Sequence, residues 1–88
     1  MEPPAYTVQY TGAARREMRR LNHSQQDRLR AAIDALARHP RPAGCRKLTG
    51  FDDLWRIRVG DYRVVYQIED DRLVVLIIRV RHRREAYR

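Results

Sequence analysis

The clearest pattern of hydrophobic and polar positions lies in residues 54–66, LWRIRVGDYRVVY. Apolar and charged residues alternate on both sides of Gly60-Asp61, as expected for two strands joined by a two-residue loop of type II′. Counting outward from this loop places Arg58 opposite Arg63. Because strand side chains alternate between faces, one face is expected to form a core from Trp55, Ile57, Val59, Tyr62, Val64 and Tyr66. The other face carries cations whose mutual repulsion a bound polyanion would relieve, namely Arg56, Arg58 and Arg63.

The N-terminal half predicts one strand and two helices. Residues 6–10 alternate as in a strand, and a first helix is expected to begin at Thr11-Gly12 and end near Leu21. Ser24 is the expected N-cap of a second helix, which ends near Arg38 before a proline-rich segment. Apolar residues recur at helical spacing in both helices, so both are expected to pack on the apolar face of the hairpin.

The C-terminal half predicts a loop and one more strand. Residues 39–50 are rich in Pro and Gly, which is typical of a loop. Residues 73–80 are apolar at both parities up to Ile78, so this strand is expected inside the sheet. A two-residue turn before it would point Arg79 into the core, and we therefore expect a different loop length or a bulge. The order β-α-α-β-β-β predicts a single α+β domain over residues 1–88, with two N-terminal helices on one face of a small, mainly antiparallel four-stranded sheet.

The net charge of the chain narrows the range of expected partners. With 19 basic and 11 acidic residues the formal charge is +8 and the pI is about 10.7, which predicts an acidic partner such as nucleic acid or an acidic protein. Every basic residue except Lys47 is arginine, a bias that a genome rich in G and C would also produce. The single Cys45 permits no internal disulfide, and neither a signal peptide nor a membrane span is visible, so we expect a cytoplasmic protein without membrane contact.

The candidate chemistry rests on arginine, because the His and Cys residues lack the spacing of a metal site. Neither a metal ion nor a small-molecule cofactor is therefore expected. Arginine binds phosphate through charge-assisted hydrogen bonds and cannot lose its proton, so cleavage of RNA would need a separate base and acid. His82 and Tyr87 in the closing segment could exchange these protons.

Each of these residues also has a structural explanation. The three hairpin arginines could form an ordinary solvated face, His82 could be a polar residue of the tail, and Tyr87 could pack against the sheet edge. Four arginines of the first helix fit either its solvent side or phosphate contacts, namely Arg15, Arg16, Arg19 and Arg20. The residues alone leave these alternatives open.

Three segments together resemble the RelE/ParE toxins of bacterial toxin–antitoxin pairs. They are residues 47–50 (KLTG), the hairpin at 54–66, and the closing residues 80–88 (VRHRREAYR). With the two helices, the resemblance covers nearly the whole chain. It implies a fold similar to microbial ribonucleases and a cognate antitoxin as partner. RelE-like members cleave mRNA in the ribosomal A site without a metal ion, through attack of the 2′-hydroxyl that yields a cyclic phosphate, so the ribosome and mRNA are further implied partners.

The resemblance also implies roles for individual residues. Six residues match catalytic positions of the family, namely Arg56, Arg58, Arg63, Arg83, His82 and Tyr87. Of these, Arg63 and Arg83 match phosphate-stabilising arginines, while the general base stays open between Tyr87 and His82. Additional RNA contacts are expected from the basic residues around them, Arg15, Arg16, Arg19, Arg20, Lys47, Arg79, Arg81 and Arg84.

The chain departs from the family pattern at three points. RelE carries lysines at the positions of Arg56 and Arg58, and arginine makes a lysine-type acid–base role implausible there. Arg81 replaces a usual glycine and adds charge to the tail. Because the chain ends one residue after Tyr87, no C-terminal helix is expected.

These observations support three hypotheses of function. The first is a ribosome-dependent endoribonuclease toxin that inhibits translation. The second is a ParE-like toxin that inhibits DNA gyrase without catalysis, for which a cluster of phosphate-binding arginines would be unnecessary. The third is a decayed toxin retained as an antitoxin-binding module.

Overall fold

The computed structural model describes residues 5–51 and 53–86, and these form an α+β fold. In chain order the elements are β1 (Thr7–Tyr10), α1 (Gly12–Arg19), α2 (His23–Ala35), β2 (Arg46–Lys47), β3 (Leu54–Val59), β4 (Tyr62–Glu69), β5 (Val74–His82) and α3 (Arg83–Ala86). The described strands form one sheet in the order β1-β5-β4-β3-β2, in which only the β1–β5 pairing is parallel. The predicted fold class is confirmed, whereas the predicted number of four strands was one too low.

Side-chain caps fix where the two long helices begin. Thr11 precedes α1 and Asn22 precedes α2, and each side-chain oxygen accepts the backbone N–H three residues further on, at 3.1 and 2.9 Å. The predicted cap, Ser24, was two residues late because Asn22 supplies an equivalent acceptor earlier. The second helix ends at Ala35 instead of near Arg38, where the chain continues as a turn. Within residues 5–51 and 53–86, no helix has the length and apolarity needed to cross a membrane.

Both long helices pack on the same face of the sheet. The buried cluster between them and the strands includes Ala14, Met18, Leu29, Ile33, Ile57, Val64, Tyr66, Ile77 and Val80. Tyr66 is completely buried, and its hydroxyl donates to the Pro40 carbonyl at 2.7 Å. Burial raises the pKa of the Tyr66 hydroxyl above its usual range, so this group stays a neutral hydrogen-bond donor. The sheet face opposite the two helices is called the open face below.

The β3–β4 hairpin has the predicted register, with Arg58 paired to Arg63. Gly60 has a φ of +60°, the left-handed conformation that the first residue of a type II′ loop requires. A Cβ atom at Gly60 would lie 2.9 Å from Nη1 of Arg28, a side chain that α2 places over the turn. Both backbone conformation and close packing therefore require glycine at this position.

The β4–β5 pairing contains the irregularity that the position of Arg79 predicted. The loop between the strands is longer than two residues, and the register shifts after Tyr66 so that Val65 faces Arg79. Ile78 is the extra residue of this bulge, and its carbonyl accepts the Thr11 hydroxyl at 2.9 Å. Because a bulge reverses the alternation of side chains, Arg79 lies on the open face and not in the core.

Two short elements correct the sequence-based predictions. The segment at residues 39–50 was predicted to be entirely loop, yet β2 pairs within it, with Arg46 opposite Arg56 and Lys47 opposite Trp55. A C-terminal helix was not expected, but α3 forms immediately after β5. Both elements are too short to be recognised from periodicity and depend on contacts with distant parts of the chain.

A polar cluster fastens the β4–β5 loop to the N-terminal half. The Tyr6 hydroxyl donates to Oδ1 of Asp70 at 2.6 Å, and the Arg41 guanidinium donates to both carboxylate oxygens at 3.3 and 2.8 Å. These two donors hold the pKa of Asp70 below its usual range, with Arg41 contributing most. The same guanidinium lies over the Trp55 ring, 5.1 Å from the ring centroid. The segment after α2 is thereby tied to both β3 and the loop.

Candidate functional site

The open face carries arginine in two rows that run across the strands. In the first row, Arg58, Arg63 and Arg81 are aligned on β3, β4 and β5. The second row lies two residues further along, with Arg46, Arg56 and Arg79 aligned on β2, β3 and β5 and Val65 between the last two. Neighbouring strands are about 4.8 Å apart, so each row concentrates several cations within about 15 Å. Such a surface favours a bound polyanion.

Three of the predicted catalytic arginines line one cleft. Arg58 and Arg63 come from the hairpin and Arg83 from α3, and together with Arg84 and the turn at Gly60-Asp61 they enclose about 320 Å³. The cleft is called the arginine cleft below. Its lining supplies many N–H donors and permanent positive charge, which suits a phosphodiester.

The closing segment reaches the cleft because it is hydrogen-bonded to the hairpin turn. The backbone N–H of Arg83 donates to the Asp61 carbonyl at 2.7 Å, and the N–H of Arg84 donates to Nδ1 of His82 at 3.3 Å. The tight turn at Gly60 therefore brings α3 beside β3 and β4. This contact explains how residues more than 20 positions apart in the chain line the same space.

His82 lies on the helix-facing side of the sheet and not among the residues that line the arginine cleft. Its ring packs edge-on against Tyr62, with centroids 5.4 Å apart and an interplanar angle of 87°. The Tyr62 hydroxyl in turn donates to Oε1 of Gln25 in α2 at 3.2 Å. The structure thus separates His82 from the arginines with which it was grouped. Tyr87, the other proposed proton carrier, lies outside the described residues.

Arg56 lies in a recess of about 440 Å³ that adjoins the arginine cleft. Arg58 lines both spaces, and Arg46 of β2 lines the recess from the edge strand. The sequence analysis did not include Arg46 among the site residues because it lay in a predicted loop. Its pairing with Arg56 would have been the signal, since paired residues share a face.

Arg79 and Arg81 of β5 are held by an acidic residue that the sequence analysis had not singled out. The Glu17 carboxylate on α1 lies 3.5 Å from Nε of Arg79 and 3.3 Å from Nε of Arg81, while its other oxygen accepts the N–H of Val80 at 2.8 Å. Arg20 lines the same region. The contact joins α1 to the edge of the open face.

The remaining predicted RNA contacts are dispersed. Lys47 pairs with Trp55, whose side chain belongs to the helix-facing side, so alternation places Lys47 on that side and not beside Arg46. The other arginines of α1 are exposed, namely Arg15, Arg16 and Arg19. Of the eight predicted contacts, those that border the open face are Arg20, Arg79, Arg81 and Arg84.

The site offers phosphate binding and charge stabilisation without metal ligands. Across residues 5–51 and 53–86, His, Cys, Asp and Glu form no cluster of three or more able to hold a metal ion. Guanidinium groups neutralise the charge that accumulates on a phosphorus centre during displacement, but they do not accept protons. Any proton acceptor must therefore come from another residue type.

Known protein sequences similar to this chain are toxins. The family model described as the ParE toxin of the type II toxin–antitoxin system, parDE, matches residues 8–87. Toxin RelG of Mycobacterium tuberculosis is 36% identical over 91 residues, covering 94% of this chain and 97% of that protein. The mRNA interferase toxin RelE of Escherichia coli is 32% identical over 87 residues, covering 94% of this chain and 90% of that protein.

Solved structures similar to this fold include toxin–antitoxin complexes. The archaeal RelE–RelB complex from Pyrococcus horikoshii OT3 contains a chain that aligns with a TM-score of 0.80 at 28% identity, covering 90% of this chain and 96% of the other. The intact E. coli RelBE complex contains one with a TM-score of 0.76 at 32% identity, covering 86% and 94% respectively. The similarity extends over the helices and the sheet alike.

Proposed function

This chain belongs to the RelE/ParE family of type II toxin–antitoxin toxins, and on that basis we propose that it is a ribosome-dependent mRNA endoribonuclease that inhibits translation. The observation that carries the proposal is the arginine cleft, in which Arg58, Arg63 and Arg83 meet. Three guanidiniums in one cleft can hold a phosphodiester and stabilise the charge that develops when it is attacked. The E. coli relative is named an mRNA interferase, which supports the same activity.

In this mechanism the ribose 2′-oxygen attacks the adjacent phosphorus and the 5′-oxygen of the next nucleotide leaves. The products are a 2′,3′-cyclic phosphate and a 5′-hydroxyl, and the reaction consumes no water. Arg58, Arg63 and Arg83 bind the scissile phosphate and stabilise the pentavalent intermediate, and Arg56 binds the chain in the adjoining recess. One proton leaves the 2′-hydroxyl and one reaches the departing oxygen.

Tyr87 and His82 are the two groups available for these proton transfers. Because His82 packs on Tyr62 and accepts the N–H of Arg84, we assign its main role to supporting α3, and we assign the 2′-hydroxyl proton to Tyr87. Tyr87→Phe should then lower the single-turnover cleavage rate on programmed ribosomes by about 10²- to 10⁴-fold. His82→Asn should retain most activity, because the asparagine oxygen can accept the same N–H. An equal loss in both variants would contradict this assignment and return His82 to proton transfer.

A gyrase-inhibiting toxin is the second candidate, because the matching family model is that of the ParE toxin. That function requires protein contacts and gives no role to an arginine cleft. Mapping of mRNA 5′ ends after induction separates the two. New ends at positions fixed relative to codons support the endoribonuclease, whereas DNA damage without new ends supports the gyrase inhibitor.

We also propose a cognate antitoxin as the protein partner. The structural neighbours from P. horikoshii and E. coli are complexes of RelE with RelB. A net charge of +8 and an arginine-rich open face favour an acidic antitoxin segment. Binding should therefore weaken with salt, and the bound complex should not cleave mRNA.

A further inference from the structure

Glu17 is an acidic residue in contact with the arginines of the open face. Its side chain is 18% exposed and makes the three contacts with β5 described above, to Arg79, Val80 and Arg81. An acid that merely faced solvent on α1 would not bridge the backbone and two side chains of a strand. The contacts therefore suggest a role in arranging the arginines of β5.

The contacts use a particular part of each guanidinium. Glu17 lies against the Nε atoms of Arg79 and Arg81, at 3.5 and 3.3 Å. A guanidinium bound through Nε retains the two terminal nitrogens, the usual donors for bidentate phosphate binding. The side chains of Arg79 and Arg81 are 38% and 40% exposed, so both remain accessible to a ligand.

The two arginines lie beside the proposed catalytic centre. Arg79, Arg81 and Arg63 line one cavity of about 500 Å³ with Leu48 and Val65, and Arg63 also lines the arginine cleft. An RNA strand whose scissile phosphate occupies the arginine cleft can therefore continue over Arg81 and Arg79. These residues are suitably located for a neighbouring phosphate.

We propose that Glu17 is a positioning residue that holds Arg79 and Arg81 as a second phosphate-binding pair, next to the arginine cleft. The proposal rests on the endoribonuclease function. The site binds an RNA backbone phosphate adjacent to the one that is cleaved. Glu17 itself does not contact the substrate but fixes the direction of both guanidiniums.

This role predicts an effect of opposite sign to that of simple electrostatics. Glu17→Gln removes one negative charge beside two arginines, and Coulomb attraction alone would then tighten RNA binding by about twofold or more. If Glu17 positions the guanidiniums, the same change should weaken binding, because two mobile side chains must be ordered by the substrate. The glutamine oxygen can still accept the Val80 N–H, so the fold is retained.

The test is single-turnover cleavage of a defined mRNA on programmed ribosomes with the full chain in excess. Glu17→Gln should raise the half-saturating toxin concentration by about tenfold, leaving the maximal rate and its pH profile nearly unchanged. Glu85→Gln is the matched control, since Glu85 lines the same region from α3 and its loss changes the charge equally. The control should bind as tightly as the wild type or more tightly. Thermal denaturation establishes that both variants are folded.

A second comparison excludes a purely structural effect. In a background carrying Arg79→Gln and Arg81→Gln, Glu17→Gln should cause no further weakening, because the groups it positions are absent. Unchanged or tighter binding by Glu17→Gln, or the same weakening in that background, would overturn the proposal while leaving the endoribonuclease function intact. Absence of cleavage by the wild type would refute the proposed function and, with it, the role given to Glu17.

Discussion

Replacing Arg63 tests the mechanism most sharply among single substitutions, because this residue occupies the centre of the first arginine row. It faces Arg58 on one side and Arg81 on the other, and it lines the arginine cleft with Arg83. Arg63→Gln keeps part of the aliphatic stem and removes the charge. The mechanism predicts loss of activity without loss of stability.

The magnitude follows from the charges that surround the position. A unit charge about 4 Å from a phosphorane oxygen contributes about 4 kcal/mol at an effective dielectric constant near 20, and removing one stabilising donor typically costs about 3–4 kcal/mol. Single-turnover cleavage should therefore fall by about 10²- to 10³-fold. Each like-charged pair across neighbouring strands costs about 0.2–1 kcal/mol, so removing the central cation should leave the free energy of unfolding unchanged or raise it by up to about 1 kcal/mol.

The assay combines cleavage on programmed ribosomes with thermal denaturation of the same preparations. Arg72→Gln is the control, because Arg72 pairs with Glu69 at the distant β4–β5 loop and its removal changes the net charge equally. It should retain wild-type cleavage. Full activity in Arg63→Gln would refute the role of the arginine cleft, and an equal loss in Arg72→Gln would show that only net charge matters.

Two further substitutions test the parts of the fold that place the site. Gly60→Ala should destabilise the protein by about 1–2 kcal/mol in chemical denaturation and lower cleavage, because it strains the turn that anchors α3, whereas Gly50→Ala should lose stability alone. The lowered pKa of Asp70 adds stability above the usual carboxyl pKa of about 3.9, and this stability is lost as pH falls below it. Asp70→Asn should therefore flatten the acid limb of stability against pH between about pH 5 and 2, and an unchanged limb would remove Arg41 and Asp70 from the account.

The hairpin was predictable from sequence because its turn fixes the register. Once Gly60-Asp61 is identified as a two-residue loop, the facing of Arg58 and Arg63 follows from alternation. The expectation of an irregularity near Arg79 was correct for a similar reason, since a charged side chain would otherwise enter the core. Local chemistry determined these features.

Other features depend on contacts that the sequence does not reveal. Arg46 joins the open face only because β2 pairs with β3, and Glu17 differs from the solvent-exposed residues of α1 only because β5 lies beside it. The separation of His82 from the arginines was available from alternation, because its neighbour Arg81 lies on the open face. The sequence analysis had instead treated the whole tail as one cationic segment.

The central claim is that the arginines on the open face support attack by a ribose 2′-hydroxyl. The most direct measurement uses purified toxin, programmed ribosomes and an mRNA carrying a single 2′-deoxynucleotide on the 5′ side of the mapped cleavage position, with the products identified by mass spectrometry. The account predicts a 2′,3′-cyclic phosphate and a 5′-hydroxyl from unmodified mRNA, and no cleavage at the deoxy position. Cleavage that persists at that position, or products ending in a 3′-hydroxyl, would contradict it.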